Sequence, residues 1–148
     1  MARILALDIG KKRTGVAATD PLRLIANGLK TVDTSSLLDF LEGYLATEEV
    51  ALLVVGYPLQ TNGQPSEALR YINPMLRRIA ARFPHLPIEQ FDERYTSTLA
   101  HRAMLDGGMR RMARRDKAVV DTISATIILQ SFMDSRRYGE IFSREERR

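Results

Sequence analysis

The chain has 148 residues, 45% of them hydrophobic and 27% charged, which suits one globular domain with a full core. There is no cysteine, so disulfides and thiolate-held metals are excluded, and no apolar run nears the ~20 residues needed to span a bilayer. Net charge is +4, from 22 Lys and Arg against 18 Asp and Glu, and the positive residues are clustered. The clusters are Lys11-Lys12-Arg13, the run Arg110, Arg111, Arg114, Arg115 and Lys117, and a tail with Arg136, Arg137, Arg144, Arg147 and Arg148. Met1-Ala2-Arg3 leads directly into apolar sequence with no secretion signal, so a cytoplasmic location is expected.

Residues 2–9 read as a buried strand rich in Ile and Leu. A short Gly-Lys-Lys-Arg turn follows, and Thr14 to Thr19 reads as a second strand. So short a link predicts a hairpin and an antiparallel pair. Asp20-Pro21 breaks the second strand, and Ala26 to Val32 predicts a third. Asp33-Thr34-Ser35 supplies helix-cap chemistry ahead of Leu37, Leu38, Leu41 and Leu45 at helical spacing. Val50 to Val55, stopped by Gly56, reads as a central strand covered on both faces. A polar loop precedes a helix that starts at Ser66-Glu67 and carries Leu69, Ile72, Leu76 and Ile79 as far as Pro84.

Residues 87–92 predict a fifth strand, and Thr96 to Asp106 a third helix closed by Gly107-Gly108. The basic segment 107–117 reads as a mobile loop. A last helix runs from Lys117 to Arg136. The expected fold is α/β: a five-stranded mixed sheet, strand two antiparallel, with helices on both faces. Residues 1–136 form the domain, and 137–148 form a basic tail that loses apolar period and is expected to fray.

In such a sheet the site lies at the carboxyl ends of the parallel strands, where Asp8 and Glu93 fall. Asp121 sits near the start of the last helix. Carboxylates embedded in apolar sequence are costly unless paired or bound to a cation. Three converging acids suit Mg²⁺ or Mn²⁺, as one ion or as a pair, and the basic clusters suit a polyanion. The residue types alone leave a second explanation open: Asp8 capping a turn, Glu93 paired with Arg94, and Asp121 paired with Lys117. Gly10 and Gly15 flank a turn suited to phosphate, although the chain lacks a Gly-Lys-Ser/Thr ending.

Four stretches carry a resemblance: Asp8-Ile9-Gly10-Lys11-Lys12-Arg13-Thr14-Gly15-Val16-Ala17, Val54-Val55-Gly56-Tyr57-Pro58-Leu59, Asp92-Glu93-Arg94-Tyr95-Thr96-Ser97, and Asp121-Thr122-Ile123-Ser124-Ala125-Thr126-Ile127-Ile128-Leu129-Gln130. In this order they resemble the YqgF (RuvX) family of the ribonuclease H-like superfamily. The resemblance implies a ribonuclease H-like fold with Asp8, Glu93 and Asp121 as catalytic and metal-holding acids. It implies a metal-dependent nuclease that hydrolyses phosphodiesters of structured nucleic acid, matures the 5′ end of precursor 16S rRNA, and acts in ribosome biogenesis. The nucleic-acid contacts expected are Lys11, Lys12, Arg13, Arg94, Arg110, Arg111, Arg114, Arg115 and Lys117, in a monomer or weak homodimer.

One alternative is a Holliday junction resolvase acting on branched DNA, and another is a non-catalytic RNA-binding factor. The resolvase pattern has a further carboxylate one helical turn before the last acid, and Lys117-Ala118 stand there instead. Actin-like ATPases share an Asp-x-Gly strand pair, but they need two lobes to enclose a nucleotide and 148 residues supply one.

Overall fold

A computed structural model describes residues 2–59, 62, 64, 66–95 and 117–146. Five strands form one sheet: β1 (Arg3–Ile9), β2 (Arg13–Thr19), β3 (Ala26–Asp33), β4 (Val50–Tyr57) and β5 (Ile88–Asp92), in the order β3-β2-β1-β4-β5. The hairpin is antiparallel, with Asp8 opposite Gly15, and β3 continues antiparallel to β2. On the other side β1 and β4 run parallel, as do β4 and β5. This is the expected mixed sheet with β2 antiparallel.

The central strand shows why its sequence is a continuous apolar run. Ile4, Leu5, Ala6 and Leu7 are all fully buried, because helices cover both faces of the sheet. Alternation sends Leu5, Leu7 and Ile9 to one face, against α1 (Leu37–Thr47) and α2 (Leu69–Arg82). Ile4 and Ala6 face the other way, with Leu52, Val54 and Phe91, against α3 (Lys117–Met133). Each large aliphatic side chain so buried contributes roughly 1.5–3 kcal/mol.

Two expectations need correction. The tail does not fray at residue 137: after a break at Asp134-Ser135 the chain re-enters a helix, α4 (Arg136–Glu146). Phe142 is buried, and its ring lies 5.0 Å from Tyr138, which meets Phe132 edge-on at 6.1 Å. Phe132 in turn meets Phe91 edge-on at 6.2 Å, so the tail docks on the core through aromatics, and the Arg23 guanidinium covers Phe142 at 4.4 Å. The second correction concerns the cap before α1. Neither Asp33 nor Ser36 makes a side-chain cap bond. Thr34 instead donates its hydroxyl to the Gly10 carbonyl at 2.7 Å and pairs with the Thr14 hydroxyl at 2.9 Å. Those bonds tie the end of β3 to the β1–β2 turn. The helix expected at 96–106 and the basic loop up to residue 116 lie outside the described residues.

Candidate active site

Asp8 is the sixth residue of β1, on the same face as Ile4 and Ala6, near the strand's carboxyl end. Glu93 follows β5 directly and opens a short 3₁₀ turn, Glu93–Tyr95. Asp121 lies in the second turn of α3, the helix that covers this face of β1, β2 and β3. Strand register, strand end and covering helix therefore bring the three acids to one region.

Two glycines make the approach close enough to matter. A Cβ on Gly15, which sits opposite Asp8, would collide with the Asp121 carbonyl oxygen. The missing side chain is what lets α3 lie directly on β2. A Cβ on Gly56 would come within 2.5 Å of Glu93 Oε1 and 2.6 Å of Ile128, so the Glu93 side chain folds back over β4. Gly15, expected as part of a phosphate-cradling turn, is thus a packing position inside β2. The turn itself is closed by the Gly10 amide donating to the Arg13 carbonyl at 2.9 Å.

The electrostatics join the acids in a chain with Asp8 in the middle. Burial raises the Asp8 carboxyl from 3.8 to about 6, and the Asp121 charge adds to the rise. Burial likewise raises Glu93 from 4.5 to about 7, helped by the charges of Asp8 and Asp92. No hydrogen bond among the described residues reaches the Asp8 carboxylate. Asp121 differs, because its Oδ2 accepts Arg13 Nε at 2.9 Å. Arg13, expected as a phosphate contact, also holds an acid of the site through its Nε. Arg94 grips the neighbouring Asp92 with bonds of 2.6, 2.9 and 3.1 Å, and the Lys117 side chain lies outside the described residues.

Among the described residues no group of three His, Cys, Asp or Glu side chains is placed to hold a metal ion. The donor set nonetheless fits a hard divalent ion. Asp8 and Glu93 offer only oxygen, both are held above their ordinary pKa by burial and by neighbouring negative charge, and a cation would relieve both causes.

The expected nucleic-acid contacts divide. Lys11 and Lys12 are exposed on the β1–β2 turn, beside the acids in sequence and at the same end of the sheet. Arg110, Arg111, Arg114 and Arg115 lie outside the described residues, as does the Lys117 side chain. Tyr57, a candidate for base stacking, donates its hydroxyl to Asn73 at 2.9 Å and is half-buried in packing.

Comparison with known proteins gives a consistent result. A family model described as RuvX, Holliday junction resolvase, matches residues 2–135. A protein of Phocaeicola vulgatus named "Putative pre-16S rRNA nuclease" is 55% identical over 138 residues, covering 93% of this chain and 99% of its own length. A protein of the same name from Bacteroides thetaiotaomicron is 52% identical over 138 residues, covering 93% of this chain and 100% of its own.

Proposed function

Because the chain belongs to the RuvX family, we propose that it is a nuclease that trims precursor 16S rRNA at its 5′ end, with Asp8, Glu93 and Asp121 as its working acids. The observation that carries the reading is the pair Asp8 and Glu93. Two carboxyl groups are kept buried at the strand ends at a cost in stability that folding alone does not require.

Hydrolysis of a phosphodiester adds water across a P–O bond: the water loses a proton to a base, and the leaving oxygen gains one. Glu93, raised to about 7, is suited to hold that proton near neutral pH. Asp8 and Asp121 keep the negative charge that makes the region select a cation, and Arg13 fixes the direction of Asp121. Asp8, Glu93 and Asp121 would hold a Mg²⁺ or Mn²⁺ ion, which would supply charge neutralisation at the phosphate and activation of water. Lys11 and Lys12 draw the polyanion to this end of the sheet.

The test is incubation of the pure protein with precursor 16S rRNA and, separately, with a four-way DNA junction, each with Mg²⁺ or Mn²⁺. Wild type and Asp8→Asn are run side by side. Cleavage of the rRNA lost in Asp8→Asn is expected. Equal cleavage by the two proteins would remove Asp8 from the chemistry. The description of the matched family model supports the resolvase as second reading, and symmetric nicking of the junction with intact rRNA would establish it. Binding of rRNA without cleavage of either substrate would favour a non-catalytic RNA-binding factor.

A further inference from the structure

The other face of the sheet carries a feature to which neither the acids nor the family reading gives a role. A cavity of about 420 Å³ opens between α1 and α2, within the size range of small-ligand sites. Its rim includes Lys11, Arg70 and Arg78, with Thr34 and Ser35 beside them. Leu38, Tyr71 and Met75 form an apolar floor, all packed against the core beneath.

The charge at this cavity is uncompensated. Elsewhere Arg3 pairs with Glu48 at 3.2 Å, Arg137 with Glu89 at 2.8 Å, and Arg82 with Glu42. Lys11, Arg70 and Arg78 have no carboxylate partner among the described residues. Arg70, Pro74 and Arg78 recur every four residues, so they share one stripe of α2, and the two arginines stand about 12 Å apart along its axis. Three free cations around an apolar floor with hydroxyls on the rim match a phosphorylated ring compound better than a bare apolar guest or a bare anion.

The location identifies the kind of guest. Lys11 belongs to the turn that links Asp8 to Arg13, and Thr34 is bonded to Gly10 of that same turn. The cavity and the acids therefore lie on opposite faces of the sheet but meet at one edge, its carboxyl end. We propose that the cavity seats one nucleotide of a single-stranded segment of the substrate, with phosphate on Lys11, Arg70 and Arg78 and the ring against Tyr71 and Met75. From there the strand passes over the end of the sheet to the acids. The identity of the strand rests on the nuclease reading; the phosphate chemistry of the cavity does not.

The test uses the full chain carrying Asp8→Asn, without divalent ions, so that binding is read apart from cleavage. Fluorescence anisotropy with a single-stranded RNA oligonucleotide is followed across a KCl series. Arg70→Ala with Arg78→Ala is compared with Arg77→Ala, an exposed arginine of the same helix that lines a different hollow beside Glu89. The double variant is expected to weaken binding and to lower the slope of log K against log salt by about 1.4, two contacts at roughly 0.7 each. Arg77→Ala should leave the slope in place, and Arg70→Lys with Arg78→Lys should restore it. Circular dichroism melting of each variant separates lost binding from lost folding.

An unchanged slope in the folded double variant overturns the proposal. A second arm titrates inorganic pyrophosphate: saturable binding that needs Arg70 and Arg78, alongside an RNA slope that does not, would replace the strand by a free phosphate compound. A protein that binds RNA through these arginines yet cleaves nothing would keep the cavity and lose the nuclease. One that cleaves RNA with the slope untouched would do the reverse.

Discussion

Two ends of the same sheet treat acidic side chains in opposite ways. At the end away from the site, Asp20 follows β2 and its carboxylate accepts the backbone amides of Ile25 at 2.7 Å, Leu24 at 2.8 Å and Leu22 at 3.2 Å. Those bonds pull its pKa below the ordinary value. They also hold a loop in which Arg23 adopts a left-handed φ of 56° and donates to the Ala2 carbonyl at 3.1 Å. Asp20 is a structural acid, satisfied by the fold it organises. At the carboxyl end Asp8 and Glu93 are buried and raised instead, while their neighbour Asp92 is gripped by Arg94 and lowered. One fold thus holds Asp20 with its own backbone amides, and at positions 8 and 93 keeps two acids buried and raised. Raised, buried carboxyls at strand ends mark a site that a cation from outside the chain would relieve.

Substitution at the two ends breaks the comparison most severely. Asp8→Asn is expected to lower rRNA cleavage by about 10³-fold or more, on the order of 4 kcal/mol in the barrier. The same change should raise the melting temperature of the metal-free protein at pH 8, because it removes a buried charge. Asp20→Asn should do the opposite, lowering the melting temperature and sparing cleavage in the surviving folded fraction. Cleavage assays paired with melting curves read both; parallel behaviour of the two variants would erase the distinction.

Next in size is the contact that lets the acids approach. Gly15→Ala places a methyl group against the Asp121 carbonyl, so α3 must lift from β2. A loss of about 2–4 kcal/mol in urea unfolding is expected, with cleavage falling alongside it. A fully stable, fully active Gly15→Ala protein would show that α3 does not need to lie this close.

The titration of the pair sharpens the comparison further. In the unfolded chain Asp8 and Glu93 ionise at ordinary values, 3.8 and 4.5, and in the folded one at about 6 and about 7. The folded form therefore holds protons that the unfolded form has released. The stability this confers is complete below pH 4 and is lost as pH rises to about 7. The loss is on the order of 3 kcal/mol in metal-free protein, with Glu93 discounted for its partial exposure. Asp8→Asn should flatten the part of the curve between pH 4 and 6. Stability rising through that window would contradict the direction of both shifts.

The smallest effect expected is at Arg13. Its bond to Asp121 is partly exposed, so Arg13→Ala should cost about 1 kcal/mol of stability. It should also weaken cleavage more than binding, since Asp121 loses its orientation. Comparable losses in kcat and in RNA affinity would return Arg13 to the role of a phosphate contact.

How much of this was legible in the residues depends on the distance over which each signal acts. The five strands and Asp8 near the end of β1 follow from local runs and a two-residue period, and the Asp8–Gly15 pairing follows from a turn too short for anything but a hairpin. The site region was legible because sheet topology alone puts strand ends together. Arg13 gripping Asp121 was not: the partners are 108 residues apart and nothing local marks them. The packing role of Gly15 and Gly56 was hidden for the same reason, since a close helix leaves no trace in the strand it presses on. The docked tail escaped because Tyr138, Ile141 and Phe142 are few apolar residues in a charged segment, and the Arg137–Glu89 pair beside them joins residues 48 apart. Nothing local marks Arg70 and Arg78, and only the cavity between α1 and α2 gives them a common target.

The account stands on Asp8 and Glu93 being buried and raised at a site that takes a cation. Melting of wild type, Asp8→Asn and Asp20→Asn at pH 7.5 against rising Mn²⁺ measures this without reference to any substrate. The wild type and Asp20→Asn are predicted to gain stability saturably, by about 2.7 kcal/mol at a hundred times the dissociation constant, and Asp8→Asn to gain little. An equal gain in all three proteins, or none in the wild type at millimolar Mn²⁺, would contradict it.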